Sequence, residues 1–199
     1  MSKEVEIKFQ LELDKISFLK SWMDEHSIFY GVRNITDYYL DNPKSSYYFE
    51  SSKGYTEVLD FLRVRITDEK HYLCYKKRYV DQFDKTISVD ELEVVIEDGL
   101  ETVEILEKAG YVSKIKIEKT RHIFVYKEIF EIVFDDVTDL GAFVEIEIKD
   151  EMLESVESGK QKIYDLLRRI GLPEVKQFDR GYLSMFLNPD YDFSEIVKL

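Results

Sequence analysis

The sequence has almost no cysteine, little proline and glycine, and no long apolar run. Its one cysteine, Cys74, excludes an intramolecular disulfide and fits a reducing compartment. No apolar stretch approaches the ~20 residues that a membrane helix needs, and no signal-peptide pattern opens the chain. A cytoplasmic protein without a membrane span is therefore expected. Positive charge is also scarce: 28 Lys and Arg stand against 41 Asp and Glu, a formal net charge of −13. That balance argues against indiscriminate binding to nucleic acid or anionic membrane, while local basic clusters remain able to hold a small anion. A Gly-rich phosphate loop and a nucleophile elbow are both missing. His26, His71 and His122 lack the spacing of metal ligands and read as ordinary surface or boundary residues.

What is present suits one globular domain with a real core: 44% of the 199 residues are apolar and 14% aromatic. The domain is expected over residues 1–190, with a loosely packed tail at 191–199. Helices are predicted from apolar stripes and end signals. One follows Asp14, with Ile16, Leu19, Trp22 and Met23 on one face. A second follows Asp98 and stops at Gly110. A third carries Ile163, Leu166, Leu167 and Ile170 and stops at Gly171 and Pro173, and a short one covers Arg180 to Phe186. Strands are predicted at Val5–Leu13, Ile35–Leu40, Phe61–Thr67, His71–Val80, Lys85–Val95, Lys114–Val125, Phe130–Val137 and Phe143–Lys149. "TDEK" before His71 is a hairpin turn signal, and residues 42–54 read as a long loop. Short turns between strands imply an antiparallel sheet, hence an α+β protein.

The strands carry an unusual charge pattern. In "EVEIKF" period-two alternation places Glu4, Glu6 and Lys8 on one face and Val5, Ile7 and Phe9 on the other. Like-facing charges recur as Arg63 and Arg65, Lys76 and Arg78, Glu91 and Glu93, Lys119 and Arg121, and Glu145, Glu147 and Lys149, with Asp135 closing "IVFD". Any one such pair is ordinary on a surface strand. The whole set, with its signs sorted by strand, points elsewhere. Arginine forks and lysines suit phosphate oxygens, and clustered carboxylates suit hard divalent cations. A metal-bound polyphosphate needs both kinds of group. If the sheet closes into a barrel, these charges point into its lumen.

Taken in order, these residues resemble the CYTH superfamily, the triphosphate tunnel metalloenzymes. Glu4-x-Glu6-x-Lys8 resembles its ExExK signature, and "TDYYLDNP" resembles its D-x-Y-x-D-x-P stretch through Asp37, Tyr39, Asp41 and Pro43. "FDDVTDLGAFVEIE" resembles the D-x-V-x-x-L-G-x-F-x-E-x-E block, and "RGYLSMF" the C-terminal helix, with Gly181 where serine is usual. The likeness spans about residues 4 to 187. It implies an eight-stranded antiparallel β-barrel tunnel with flanking helices, and Mg²⁺ or Mn²⁺ as cofactor. Carried over residue by residue, Lys8, Arg63, Arg65, Lys76, Lys119 and Arg121 bind phosphate. Glu4, Glu6, Asp135, Glu145 and Glu147, together with one of Glu91 or Glu93, would hold metal or position the attacking group, while Glu4, Glu6, Lys8 and Lys76 would take part in catalysis. Arg78 and Arg180 are weaker candidates, and Cys74 reads as a filler of the charged face.

The implied partner is a triphosphate-containing small molecule, and a homodimer is a common state in the family. Within this frame the first expectation is a triphosphatase acting on tripolyphosphate, thiamine triphosphate or a nucleoside triphosphate. A class IV (CyaB-type) adenylate cyclase follows closely, since one tunnel serves either reaction. A non-catalytic polyphosphate-binding module and a purely structural barrel fit less well, because the carboxylates expected to hold metal are all retained.

Overall fold

The computed structural model describes residues 5–80, 86–149, 153 and 155–199, with the backbone alone at 86–88. The first half runs β1 (Val5–Gln10), α1 (Leu13–His26), β2 (Ile28–Asp41), β3 (Tyr48–Glu50), β4 (Thr56–Val58), β5 (Asp60–Thr67), β6 (His71–Val80) and β7 (Thr86–Ile96). Then come α2 (Gly99–Lys108), β8 (Val112–Tyr126), β9 (Phe130–Val137), β10 (Gly141–Ile148), α3 (Val156–Ile170), β11 (Glu174–Phe178), α4 (Tyr182–Leu187) and β12 (Ser194–Lys198). The chain forms two compact units. One holds Met1–Arg33, Thr120–Arg180 and Asp192–Leu199, the other Asn34–Lys119 and Gly181–Tyr191.

In the first unit β1 lies antiparallel between β10 and β11, β9 pairs with β10, and β12 pairs with β11. The turn from β8 into β9 places both Lys127 and Glu128 at positive φ, 52° and 62°. Positive φ is uncommon for residues other than glycine and is met mostly in tight turns of this kind. Strand alternation then divides the sheet. Val5, Ile7 and Phe9 lie opposite Ile148, Ile146 and Val144, which lie opposite Phe130, Ile132 and Phe134. This apolar face is closed by Leu19 and Met23 of α1 and by Ile163, Leu166, Leu167 and Ile170 of α3. Each fully buried aliphatic side chain of this core contributes roughly 1.5–3 kcal/mol. Helix α3 starts at a capping box between Ser155 and Ser158 and stops at Gly171, φ 101°. A Cβ on Gly159 would meet the Val5 methyls at 2.9 Å, so the missing side chain is what lets α3 lie this close to β1.

The second unit contains the antiparallel run β2–β5–β6–β7 and the separate hairpin β3–β4. Leu40, Val64 and Val103 centre its core, with Tyr38, Leu62, Ile66, Leu73, Ile96 and Leu106 packed against them. Helix α2 supplies Val103 and Leu106, and the Asp98 carboxylate caps it by accepting from the Glu101 N–H.

The antiparallel sheet with flanking helices is as the sequence implies. A closed eight-stranded barrel is not seen: among the described residues β12 and β7 each have a hydrogen-bonded strand on one side only. Several boundaries also differ. Helix α1 begins at Leu13 after Glu12 and has no side-chain cap, where Asp14 was the expected cap. Strand β1 ends at Gln10, short of Leu13, because helix α1 takes over there. Strand β2 starts at Ile28, seven residues before the alternation becomes regular. Residues 42–54, read as loop, contain β3. The segment read as a loose tail pairs as β12 along β11, from Glu174↔Lys198 to Phe178↔Ser194, and neither strand was foreseen. No helix among the described residues is long and apolar enough to cross a membrane.

Candidate active site

The charged face of the first unit is assembled by register. Glu6 of β1 lies directly opposite Glu147 of β10, which lies opposite Glu131 of β9. One pleat along, Lys8 lies opposite Glu145. Like charges directly across a ladder repel, so this row of carboxylates invites a cation. Glu6, Arg121, Glu131, Val133, Glu145 and Glu147 line a recess of about 30 Å³. That is room for a water or a bare cation.

Protein cations engage part of this face. Arg121 grips Asp135 through two parallel bonds, Nε to Oδ1 at 2.7 Å and Nη2 to Oδ2 at 2.6 Å, and also reaches Glu145. Asp135 is only 1% exposed. Lys8 places Nζ 3.0 Å from Glu145 and 3.8 Å from Glu6. Burial alone would lower the Lys8 pKa, but Glu145 and Glu6 outweigh it and raise the value, so the ammonium keeps its proton. The clustered carboxylate oxygens suit a hard divalent cation, and the recess has room for one. Of the residues singled out from the sequence, Glu6, Lys8, Arg121, Asp135, Glu145 and Glu147 lie together in this unit. Sequence reasoning missed Glu131, whose signal was its shared parity with Asp135. Glu4 lies outside the described residues.

The charged face of the second unit gathers Asp37, Arg63, Arg65, Cys74, Lys76, Glu91 and Glu93. Asp37 lies across from Arg65 and accepts from its Nε and Nη2 at 2.7 and 2.9 Å, with Arg63 Nε 3.8 Å away. Lys119 is buried and stands 4.8 Å from the centre of the Tyr182 ring. The buried Nε of Arg63 has no hydrogen-bond partner among the described residues. Such an arginine holds unused donor capacity for an anion.

Burial would raise the Asp37 pKa, but Arg63 and Arg65 outweigh it and hold the carboxyl at about 2. Its pKa is lower in the folded state than the ~3.9 of an unfolded chain. It therefore stabilises the fold above pH ~4, by about 2 kcal/mol, and that contribution fades as the pH falls toward 2. Denaturant midpoints measured from pH 6 to pH 2.5 should drop less steeply for Asp37→Asn than for the unaltered protein. Equal slopes would contradict the pairing.

Cys74, Glu91 and Glu93 bring one sulfur and two carboxylate oxygens within 4.8 Å of one another. Burial and the neighbouring Glu91 push the Cys74 thiol up to about 11, against the pull of Arg63. The thiol stays protonated near neutrality and donates to Glu91 at 3.3 Å, which suits the filler role better than a ligand or nucleophile. Lys76 sits 3.2 Å from Glu91. Arg78 is instead tied to the buried Glu57 at 2.7 Å, where Tyr55 also donates, and Arg180 pairs with its neighbour Asp179. His26 stacks on Trp22, and no histidine joins a ligand cluster among the described residues.

Known proteins resemble this chain in sequence or in fold. A Methanocaldococcus jannaschii protein provisionally named an adenylate cyclase is 27% identical over 139 residues, covering 70% of this chain and 78% of that one. The structure of the PH1819 protein from Pyrococcus horikoshii superposes with a TM-score of 0.70 at 25% identity, covering 94% and 99% of the two chains. A Hippeastrum protein, provisionally named an adenylyl cyclase and described as having a dominant triphosphatase activity, superposes with a TM-score of 0.69 at 16% identity over 96% and 98%. At that identity the likeness is one of fold alone. The CYTH-domain family model matches residues 2–182. The chain thus belongs to the CYTH family, divalent-metal-dependent enzymes that bind triphosphates and work as triphosphatases or adenylate cyclases.

Proposed function

We propose that the chain hydrolyses a triphosphate, inorganic or organic, with Mg²⁺ or Mn²⁺, inside the closed eight-stranded tunnel that the family resemblance implies. One CYTH domain over residues 1–190 and a cytoplasmic location belong to the same reading. The observation that carries it is the cross-strand row Glu6–Glu147–Glu131 beside a recess of ion size. On this reading Glu6, Glu145 and Glu147, with Asp135 and Glu4, would hold the cation. A cation held there would neutralise charge building on the phosphoryl oxygens.

On the same reading the family resemblance assigns Lys8, Arg63, Arg65, Lys76, Lys119 and Arg121 to the non-bridging oxygens of the triphosphate. Lys8 keeps the Glu145 carboxylate oriented and adds a positive charge. Water attacks the terminal phosphorus, the bridging P–O bond breaks, and its electron pair leaves with the diphosphate. The proton released from water passes to a carboxylate of the Glu6 row. Protein groups supply position and charge, which is most of what phosphoryl transfer asks of an enzyme.

Cyclisation of ATP is the second reading, favoured by the relative from Methanocaldococcus jannaschii. There the ribose 3′-hydroxyl attacks the α-phosphorus and diphosphate leaves. The test is a turnover panel of tripolyphosphate, thiamine triphosphate and ATP with either metal, resolving phosphate, diphosphate and cyclic AMP. Phosphate from a triphosphate is the expected product. Diphosphate with cyclic AMP from ATP would establish the cyclase instead. No turnover, with the melting temperature still raised by tripolyphosphate, would leave a binding module.

A further inference from the structure

We infer that Lys149 is an exchangeable internal counter-ion of the carboxylate row, and that Glu131 is a further oxygen donor of the same face. Together they would set how tightly the divalent cation is held. This deepens the metal-dependent reading and rests on it.

The argument starts from the row itself. Glu131, Glu147 and Glu6 stand directly opposite one another on three neighbouring strands. Without positive charge such a row is self-repelling. Two lysines supply it in different ways. Lys8 is buried, its side chain 9% exposed, between Glu145 and Glu6. Its ammonium cannot leave without stranding a charge in a dry environment.

Lys149 is 51% exposed and lies just past the end of β10, where its N–H is anchored to the Ile129 carbonyl. From there its head reaches back to Glu131 at 2.7 Å and to Glu147 at 3.8 Å. Both carboxylates are about three-quarters buried and both line the recess. An ammonium on an exposed stem can swing into water at small cost. The oxygens it releases are then free for a stronger cation. Lys149 therefore competes with metal for Glu131 and Glu147, whereas Lys8 does not.

The two residues should act in opposite directions, which separates this role from a merely structural one. Mn²⁺ binding to the full chain, followed by calorimetry or by loss of the free-ion resonance, should tighten about 3- to 10-fold in Lys149→Met. That variant keeps the stem and removes the competing charge. Glu131→Gln should weaken binding about 10-fold. A wild-type protein that takes up no Mn²⁺ would remove the metal-dependent reading as well. Wild-type uptake with unchanged affinity in both variants, or weaker binding in Lys149→Met, would overturn this inference alone. Lys149→Met stays decisive even if Glu131→Gln folds poorly.

Discussion

Glu6→Gln should lower turnover at least ~100-fold and leave the melting temperature unchanged or slightly higher. Glu6 sits opposite Glu147, within 3.8 Å of Lys8 and beside the recess, so the substitution removes a negative charge from a crowded row. Folding loses little, since repulsion along the row falls with the charge. Function loses much, because the amide oxygen is a neutral and weaker donor to a hard cation. Activity measured at saturating metal, with the melting curve of the same sample, separates the two effects. Full activity in Glu6→Gln would remove this residue from the site. A collapsed melting curve would make it a structural residue.

Arg121→Ala should be the most destabilising single change on the charged face, by roughly 3–5 kcal/mol. Arg121 is the bidentate partner of Asp135, which is 1% exposed, and it also holds Glu145. Its removal leaves a buried carboxylate without its forked donor. Arg121→Lys keeps the charge and loses the fork, so it should recover part of the loss. Arg121→Met combined with Asp135→Leu should recover more stability than either single change, because an apolar pair leaves no charge stranded, yet it should stay inactive. Denaturant midpoints of the set test this. A loss below about 0.5 kcal/mol in Arg121→Ala would contradict the buried pairing.

Much of this face was legible because strand alternation converts sequence parity into geometry. Glu6 and Lys8 share a face with no knowledge of their neighbours, as do Arg63 and Arg65. Register is a different matter. That Lys8 faces Glu145, or that Arg65 is held by Asp37, depends on which residues pair across strands far apart in sequence. Glu131 was overlooked for a local reason: Val133 stands between it and Asp135, and the recognised block begins only at Asp135. The start of β2 was hidden because Gly31, at φ 128°, breaks the alternation. Strands β11 and β12 were hidden because Glu174–Phe178 and Ser194–Lys198 are short and polar. They gain definition only by pairing with β1 and with each other. The long stripe of α3 and its glycine stop, by contrast, were read correctly, since a helix carries both its period and its ends locally.

The central claim is that this chain's carboxylate face works through a divalent cation on a triphosphate. The most direct measurement is hydrolysis of the panel's best substrate by protein stripped with excess chelator, then resupplied with Mg²⁺ or Mn²⁺. The account predicts that turnover falls to background in chelator and returns with the added metal. Turnover persisting at full rate in excess chelator would contradict it.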